Sequence, residues 1–154
     1  MAANFETLTA ADIMSRDVLT LTPQLTLRAA ADALARGRIS GAPVVDDLGR
    51  CIGVFSRSDL ARWINTEGRG GRVEGIAAVA DPTWDVFDVE VLPNEEIRLY
   101  MTNDPVTAPA TASVVQLARM MVDAGVHRVI ITDSERRPTG MVSSTDILAL
   151  VAQR

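Results

Sequence analysis

Residues 53–59 read GVFSRSD and residues 140–146 read GMVSSTD, and the 87-residue spacing between them holds along most of the chain. At that offset Met14 falls on Met101, Asp17 on Asp104, Thr20 on Thr107 and Asp46 on Asp133. Arg50 then falls on Arg137, Gly53 on Gly140, Ser56 on Ser143 and Asp59 on Asp146, with no gap. Apolar positions keep the same register: Leu34 with Met121, Ile39 with Val126, Val44 with Ile131, Val54 with Met141. Biased composition would not preserve a register of this kind. The chain carries two copies of one supersecondary unit, and the architecture follows from that.

Each copy has the same order of elements. An extended piece (VLTL or PVTA) and a Thr/Ser/Pro-rich turn lead into a helical stretch. In copy one, TLRAAADALARG puts Leu27, Ala30, Ala31 and Leu34 on one face, and Gly37 is expected to end the helix. In copy two, SVVQLARMMVDAG has Ser113 as cap, Val114, Leu117, Ala118 and Met121 as the stripe, and Gly125 as the stop. The β-branched runs GAPVVDD and HRVIITD read as strands, and second strands pass through CIGVF and TGMVS. A final helix starts at SRSDLARWI or SSTDILALV, which makes each copy a βαββα unit. One copy alone covers only one face of its sheet with helices, so the two copies are expected to pack into one body through their sheets or their exposed helices. The boundaries are 8–68 for repeat one, 69–94 for a Gly-rich and acidic linker, and 95–154 for repeat two. Thr9 is the expected cap of a lead-in helix, TAADIM. Asn94 is the expected cap of a matching one, EEIRLYM, delivering Tyr100 and Met101 to copy two.

Composition removes several classes of function. Hydrophobic residues make up 47% of the chain and charged residues 23%, the profile of a soluble globular protein, and no apolar run is long enough to span a bilayer. The formal net charge is −5 and there is no basic tract, which argues against a nucleic-acid partner. A single cysteine, Cys51, excludes an internal disulfide, and the N-terminal residues have no signal-peptide pattern; the expected compartment is the cytoplasm. His127 is the only histidine and has no evident nucleophile partner, so neither a His-based metal cluster nor a catalytic base is expected. With no P-loop, dinucleotide fingerprint or nucleophile–base–carboxylate set, neither an enzyme nor a catalytic cofactor is expected.

The repeated Gly-x-x-Ser-x-x-Asp has two physical readings. In the structural one, Ser56 and Ser143 cap helices, Asp59 and Asp146 fall at N3 near the positive end of the helix dipole, and the glycine permits a tight strand crossing. In the functional one, the strand–turn–helix junction offers free N–H groups to an anion. The carboxylate then accepts hydrogen bonds from a vicinal diol such as that of a ribose, with Ser58 and Thr145 adding hydroxyls beside it. The local pattern leaves both readings open.

The longer stretches IMSRDVLTLTP, ISGAPVVDDLGRCIGVFSRSDL, YMTNDPVTAPA and VHRVIITDSERRPTGMVSSTDIL resemble CBS domains, and the pair resembles a Bateman module over residues 12–65 and 99–152. The resemblance implies an α+β fold of tandem βαββα CBS repeats packed pseudo-symmetrically through their sheets, with two clefts. Such modules commonly hold adenosine-containing ligands, among them AMP, ADP, ATP and S-adenosylmethionine, as regulatory ligands, and often pair into homodimers. Carried residue by residue, it places one site at Ser143 and Asp146, with Arg128 reaching a phosphate. The opposite wall of that site would come from Ile39, Ser40, Gly41 and Ala42, with Ser15 or Val18 from the lead-in. The other site would use Ser56, Ser58 and Asp59, faced by Val126 and His127, with Thr102 or Val106. Arg128 aligns internally with Gly41, and Pro43 with Ile130, so the two sites are expected to be unequal. The expected function is a ligand-sensing regulatory module acting on an effector protein that the sequence does not name. The alternative is a structural or protein-interaction module whose clefts do not bind.

Overall fold

The computed structural model describes residues 4–66 and 92–153, with the side chains of 64–66 excepted. The linker residues up to 91, Trp84 and the acidic Asp81, Asp85, Asp88 and Glu90 among them, lie outside the described residues. The elements are α1 (Ala10–Ile13), α2 (Leu27–Gly37), β1 (Gly41–Val45), β2 (Cys51–Ser56), α3 (Arg57–Thr66), a 3₁₀ turn (Ile97–Leu99), β3 (Thr107–Ala108), α4 (Val114–Ala124), β4 (Arg128–Thr132), β5 (Pro138–Ser143) and α5 (Ser144–Ala152). They form two compact units. One contains Met1–Val18, Asp47–Cys51 and Asp104–Arg154; the other contains Leu19–Asp46 and Ile52–Asn103. We call them the Asp146 unit and the Asp59 unit.

In the Asp146 unit the sheet order is β3-β4-β5. β3 runs parallel to β4, with Thr107 opposite Ile130, and α4 supplies the crossover that a parallel pair requires. β5 returns antiparallel, with Arg128 opposite Ser143 and Ile130 opposite Met141. The stripe read from the sequence does its work here: Leu117 and Met121 of α4 pack on Val129, Ile131 and Val142, and Ala118 is half-buried. Ser113 and Gln116 cap α4 reciprocally, each side chain bonded to the other's backbone N–H at 3.0 and 3.1 Å, and Gly125 closes the helix at φ 67°.

The Asp59 unit is built on the β1–β2 pair. Leu27, Ala30, Ala31 and Leu34, the expected face of α2, are all fully buried among Leu21, Val44, Phe55 and Leu60. Each such leucine contributes about 1.5–3 kcal/mol by leaving water. Trp63 packs into this core at 9% exposure. The extended piece VLTL forms no strand; only Leu21 bridges Val44, in the parallel sense. Gly37 is the last helical residue of α2 rather than its stop, because Arg38 takes the left-handed position at φ 52°.

The lead-ins correct the sequence reading most. α1 forms, with Asp12 Oδ2 accepting from the Thr9 N–H at 2.8 Å. The next residues then run along copy two: Ser15 and Met141 exchange backbone hydrogen bonds of 3.0 Å in both directions. The second lead-in is a 3₁₀ turn capped at Glu96 without a side-chain bond, not a helix capped by Asn94. It delivers Tyr100 and Met101 to copy one, not copy two. Ile97 is fully buried in the Asp59 unit, where its N–H reaches Leu25 O at 2.8 Å, and Val54 and Thr102 exchange hydrogen bonds of 3.0 and 2.9 Å. Each lead-in thus covers the sheet edge of the other repeat.

The glycine of the repeated motif allows that approach. A Cβ on Gly53 would lie 2.7 Å from Thr102 O and 3.1 Å from Met101 Sδ; one on Gly140 would lie 3.1 Å from Ser15 O and collide with the Met14 side chain. Neither glycine has a left-handed φ, so the requirement is for space and not for backbone freedom.

Candidate functional site

Both aspartates of the repeated motif sit where a strand hands over to a helix, but their surroundings differ. At the second junction, Ser143 ends β5 and caps α5: its Oγ accepts from the Asp146 N–H at 3.1 Å, and Asp146 Oδ2 accepts from the Ser143 N–H at 2.8 Å. The structural reading of the motif is therefore realised. It uses one carboxylate oxygen; among the described residues nothing donates to Oδ1, and Asp146 remains half-buried. Arg128 lies directly across from Ser143 on β4, so the two side chains share a sheet face, opposite to the face that carries Val129, Ile131 and Val142 into the core. Ser15 is exposed on the other flank of β5, opposite Met141. A carboxylate, an arginine and hydroxyl residues thus occupy neighbouring positions around the end of β5 in an otherwise acidic chain. That set can accept hydrogen bonds from hydroxyls and donate to an anion.

At the first junction Asp59 is closed. It is 2% exposed. Oδ2 accepts from the Ser56 N–H (2.8 Å) and the Ser56 hydroxyl (3.1 Å), while Oδ1 accepts from the Thr102 hydroxyl (3.0 Å) and is paired with the Arg62 guanidinium. Thr102 is present because the second lead-in runs past β2. Ser58, in the first turn of α3, is exposed.

The remaining expected residues fall as follows. Val18, Val106, Val126, His127 and Thr145 belong to the Asp146 unit with Arg128, Ser143 and Asp146; His127 and Thr145 are exposed, and the His127 carbonyl accepts from the Ser144 N–H at 2.8 Å. Ile39, Ser40, Gly41 and Ala42 belong to the Asp59 unit, where Gly41 and Ala42 begin β1 and are buried, and the Ser40 carbonyl accepts from the Arg57 N–H at 2.9 Å. Arg62 was not singled out from the sequence, although an arginine three residues after the aspartate, with Ala149 as its internal counterpart, was there to be read. A separate cleft of about 680 Å³ lies in the Asp146 unit between Arg16, Thr107, Thr132, Ser134 and Thr139. It sits at the Thr132 end of β4, the far end from Arg128 and Ser143, so size does not make it the place where the chemical groups converge. Among the described residues no group of His, Cys, Asp and Glu is arranged to hold a metal ion, and no helix is long and apolar enough to cross a membrane.

Comparison with known proteins agrees with the repeat. The CBS domain profile matches residues 10–66 and 95–153. The chain is 27% identical over 141 residues to the uncharacterized protein MJ1232 of Methanocaldococcus jannaschii, covering 92% of this chain and 38% of that one. It spans between 21% and 60% of the length of the first three curated relatives. Among solved structures it is similar to the CBS domain pair of protein MJ0100 in complex with 5′-methylthioadenosine and S-adenosyl-L-methionine, at TM-score 0.76 and 22% identity, over 96% of this chain and 98% of that one. It is also similar to CBSX2 in complex with AMP, at TM-score 0.72 and 17% identity, over 95% and 97% of the two chains. These structural likenesses establish the fold. With the profile covering both repeats, the chain belongs to the CBS domain family and is a pair of CBS domains.

Proposed function

We propose that this CBS pair is a regulatory module that binds an adenosine-containing ligand at the Asp146 junction and carries out no chemistry of its own. The observation that carries the reading is the unequal use of the two carboxylates. Asp146 keeps Oδ1 without a donor from the described residues and has Arg128 beside its capping serine, whereas Asp59 is sealed. A ribose diol supplies the donors that Oδ1 lacks, and Arg128 supplies a planar fork for a phosphate. The ligands held by the CBS pairs of MJ0100 and CBSX2 support an adenosyl compound as the class. AMP is our first choice because of Arg128. Ligand binding would favour one packing of the module, and an effector protein would respond to that state.

The test is calorimetry of the intact chain with AMP, ADP, ATP and adenosine, together with identification of any nucleotide released on denaturation. Asp146→Asn is the sharp variant. The Asn side-chain oxygen can still accept from the Ser143 N–H and keep the cap, while the charge is lost. We expect it to weaken AMP binding by about 2–4 kcal/mol, the value of charge-assisted hydrogen bonds to a diol. Parent affinity in Asp146→Asn would sink the carboxylate–diol account. Unaltered adenosine compounds after long incubation are expected; turnover would revive an enzymatic reading.

The module also has a surface suited to a second copy of itself. α5 buries none of its residues, and Leu148 and Val151 are 63% and 53% exposed; Val122 on the neighbouring α4 is 80% exposed. Exposed apolar residues on two helices that touch suit an association surface, and we assign it to a homodimer.

A further inference from the structure

We infer that Arg62 is a built-in occupant of the copy-one junction, holding the carboxylate oxygen that a ligand hydroxyl would need and so restricting ligand binding to copy two. This rests on the reading that the motif aspartates recognise the ligand. An ionised carboxylate offers about four acceptor positions. At Asp59 all are engaged: the Ser56 N–H and hydroxyl take Oδ2, and the Thr102 hydroxyl and Arg62 guanidinium take Oδ1. Arg62 also reaches toward the Thr102 hydroxyl, at 3.4 Å, so the three side chains form one closed set. At Asp146 only the Ser143 N–H is engaged by the side chain.

The internal repeat identifies what makes the difference. Ser56 and Ser143 correspond, and Thr102 has a hydroxyl counterpart in Ser15. Arg62 does not correspond to a donor: at the 87-residue offset its partner is Ala149, an exposed residue of α5. The spacing from aspartate to arginine, i to i+3, sets the two side chains one above the other on a helix. The Asp59 carboxylate is 1% exposed while the Arg62 side chain is 66% exposed. The arginine therefore acts as a cover whose own side chain lies largely in water while the carboxylate beneath it is buried, so the pair is held more firmly than one between two solvated groups. The closure is reversible, and it selects against any ligand that cannot displace a guanidinium.

The experiment is calorimetry of the intact chain with AMP and with adenosine, on the parent, Arg62→Ala, Arg62→Ala with Asp59→Asn, and Ala149→Arg. We expect Arg62→Ala to gain a second binding event per chain, tighter than any in the parent at this junction by on the order of tenfold, and Asp59→Asn to abolish it. Ala149→Arg, which places the same cover over Asp146, should remove the event seen in the parent. Ala149 is exposed, so this variant reports even if Arg62→Ala fails to fold. Parent-like isotherms in Arg62→Ala, or parent affinity in Ala149→Arg, overturn the inference while leaving ligand recognition by Asp146 standing. A parent that binds nothing, with Arg62→Ala binding through Asp59, overturns the Asp146 reading and with it the restriction to copy two, while the role of Arg62 as the cover of Asp59 stands. Silence in every variant overturns both.

Discussion

Replacing Gly53 by alanine should cost more than the same change at Gly140, although the two glycines occupy equivalent places in the repeat. At Gly53 the obstacle is backbone: the new Cβ would be 2.7 Å from Thr102 O, and relief requires the lead-in to move away from β2. That movement stretches the paired Val54–Thr102 hydrogen bonds of 3.0 and 2.9 Å. Overpacking costs typically about 1–3 kcal/mol, and each weakened hydrogen bond up to about 1 kcal/mol net. Alanine also lowers the entropy of the unfolded chain, which returns about 0.4–1 kcal/mol. The balance is a loss of about 1–3 kcal/mol for Gly53→Ala. At Gly140 the nearest atoms belong to Met14, a flexible thioether side chain that can rotate away, and the nearest backbone atom, Ser15 O, is 3.1 Å off. The loss there should stay within about 1 kcal/mol, since only a small displacement is required. Urea unfolding, with the midpoint compared at constant slope, measures both. If Gly140→Ala is the more damaging of the two, or Gly53→Ala leaves the midpoint where it was, the steric account of the motif glycine is wrong.

Arg128→Ala should weaken AMP by roughly tenfold or more while leaving adenosine nearly unchanged, because the guanidinium engages phosphate alone; parallel titrations read the selectivity, and equal affinities of variant and parent for both ligands would remove Arg128 from the site. Arg128→Lys should restore only part of the loss, since an ammonium does not reproduce the planar fork. Light scattering at micromolar concentration should report about twice the 16.5 kDa of one chain, and Leu148→Glu, by placing a charge on an exposed apolar position of α5, should shift the population toward monomer without changing the unfolding midpoint of that monomer. A parent that stays monomeric at every accessible concentration contradicts the dimer surface.

Much of the fold was legible because its causes are local. The stripes on α2 and α4, the Ser113 cap, the Gly125 stop and the β-branched strands all depend on residues within a few positions of one another. The repeat then showed that the same unit occurs twice. What it could not show is which of two equivalent sheets a lead-in covers, because Met14 and Met101 match in both assignments and the choice is made by long-range contacts such as Ser15 with Met141 and Thr102 with Val54. The same limit applied to the sites. The serine–aspartate junctions were visible as a motif, but the sealing of Asp59 depends on Thr102, 43 residues away, and so on the path of the lead-in. The VLTL segment failed as a strand for a related reason: β-branched composition favours extended backbone, yet only Leu21 finds a partner strand beside it. Arg38 in the left-handed position shows a glycine preference overridden at the end of a helix, one residue beyond where Gly37 suggested the stop.

The exchange of lead-ins has a consequence for how such a chain can be divided. A cut between residues 66 and 92 would not liberate two self-sufficient domains. The first fragment would carry the edge segment of the second, Ser15 included, and would lack its own, which contains Ile97 and Thr102. Each fragment alone would present an unpaired sheet edge and an incomplete core, one without Leu92 and Ile97 and the other without Ala10, the circumstance that drives strand donation between molecules. Mixed together, the fragments should re-form both units, each completing the other; kept apart, they should aggregate or pair with copies of themselves. The covalent link between the repeats then serves mainly as a concentration device, holding two mutually dependent halves at an effective molarity that free fragments would have to reach in solution. Unfolding of the intact chain should accordingly be a single cooperative transition, with neither repeat surviving the loss of the other.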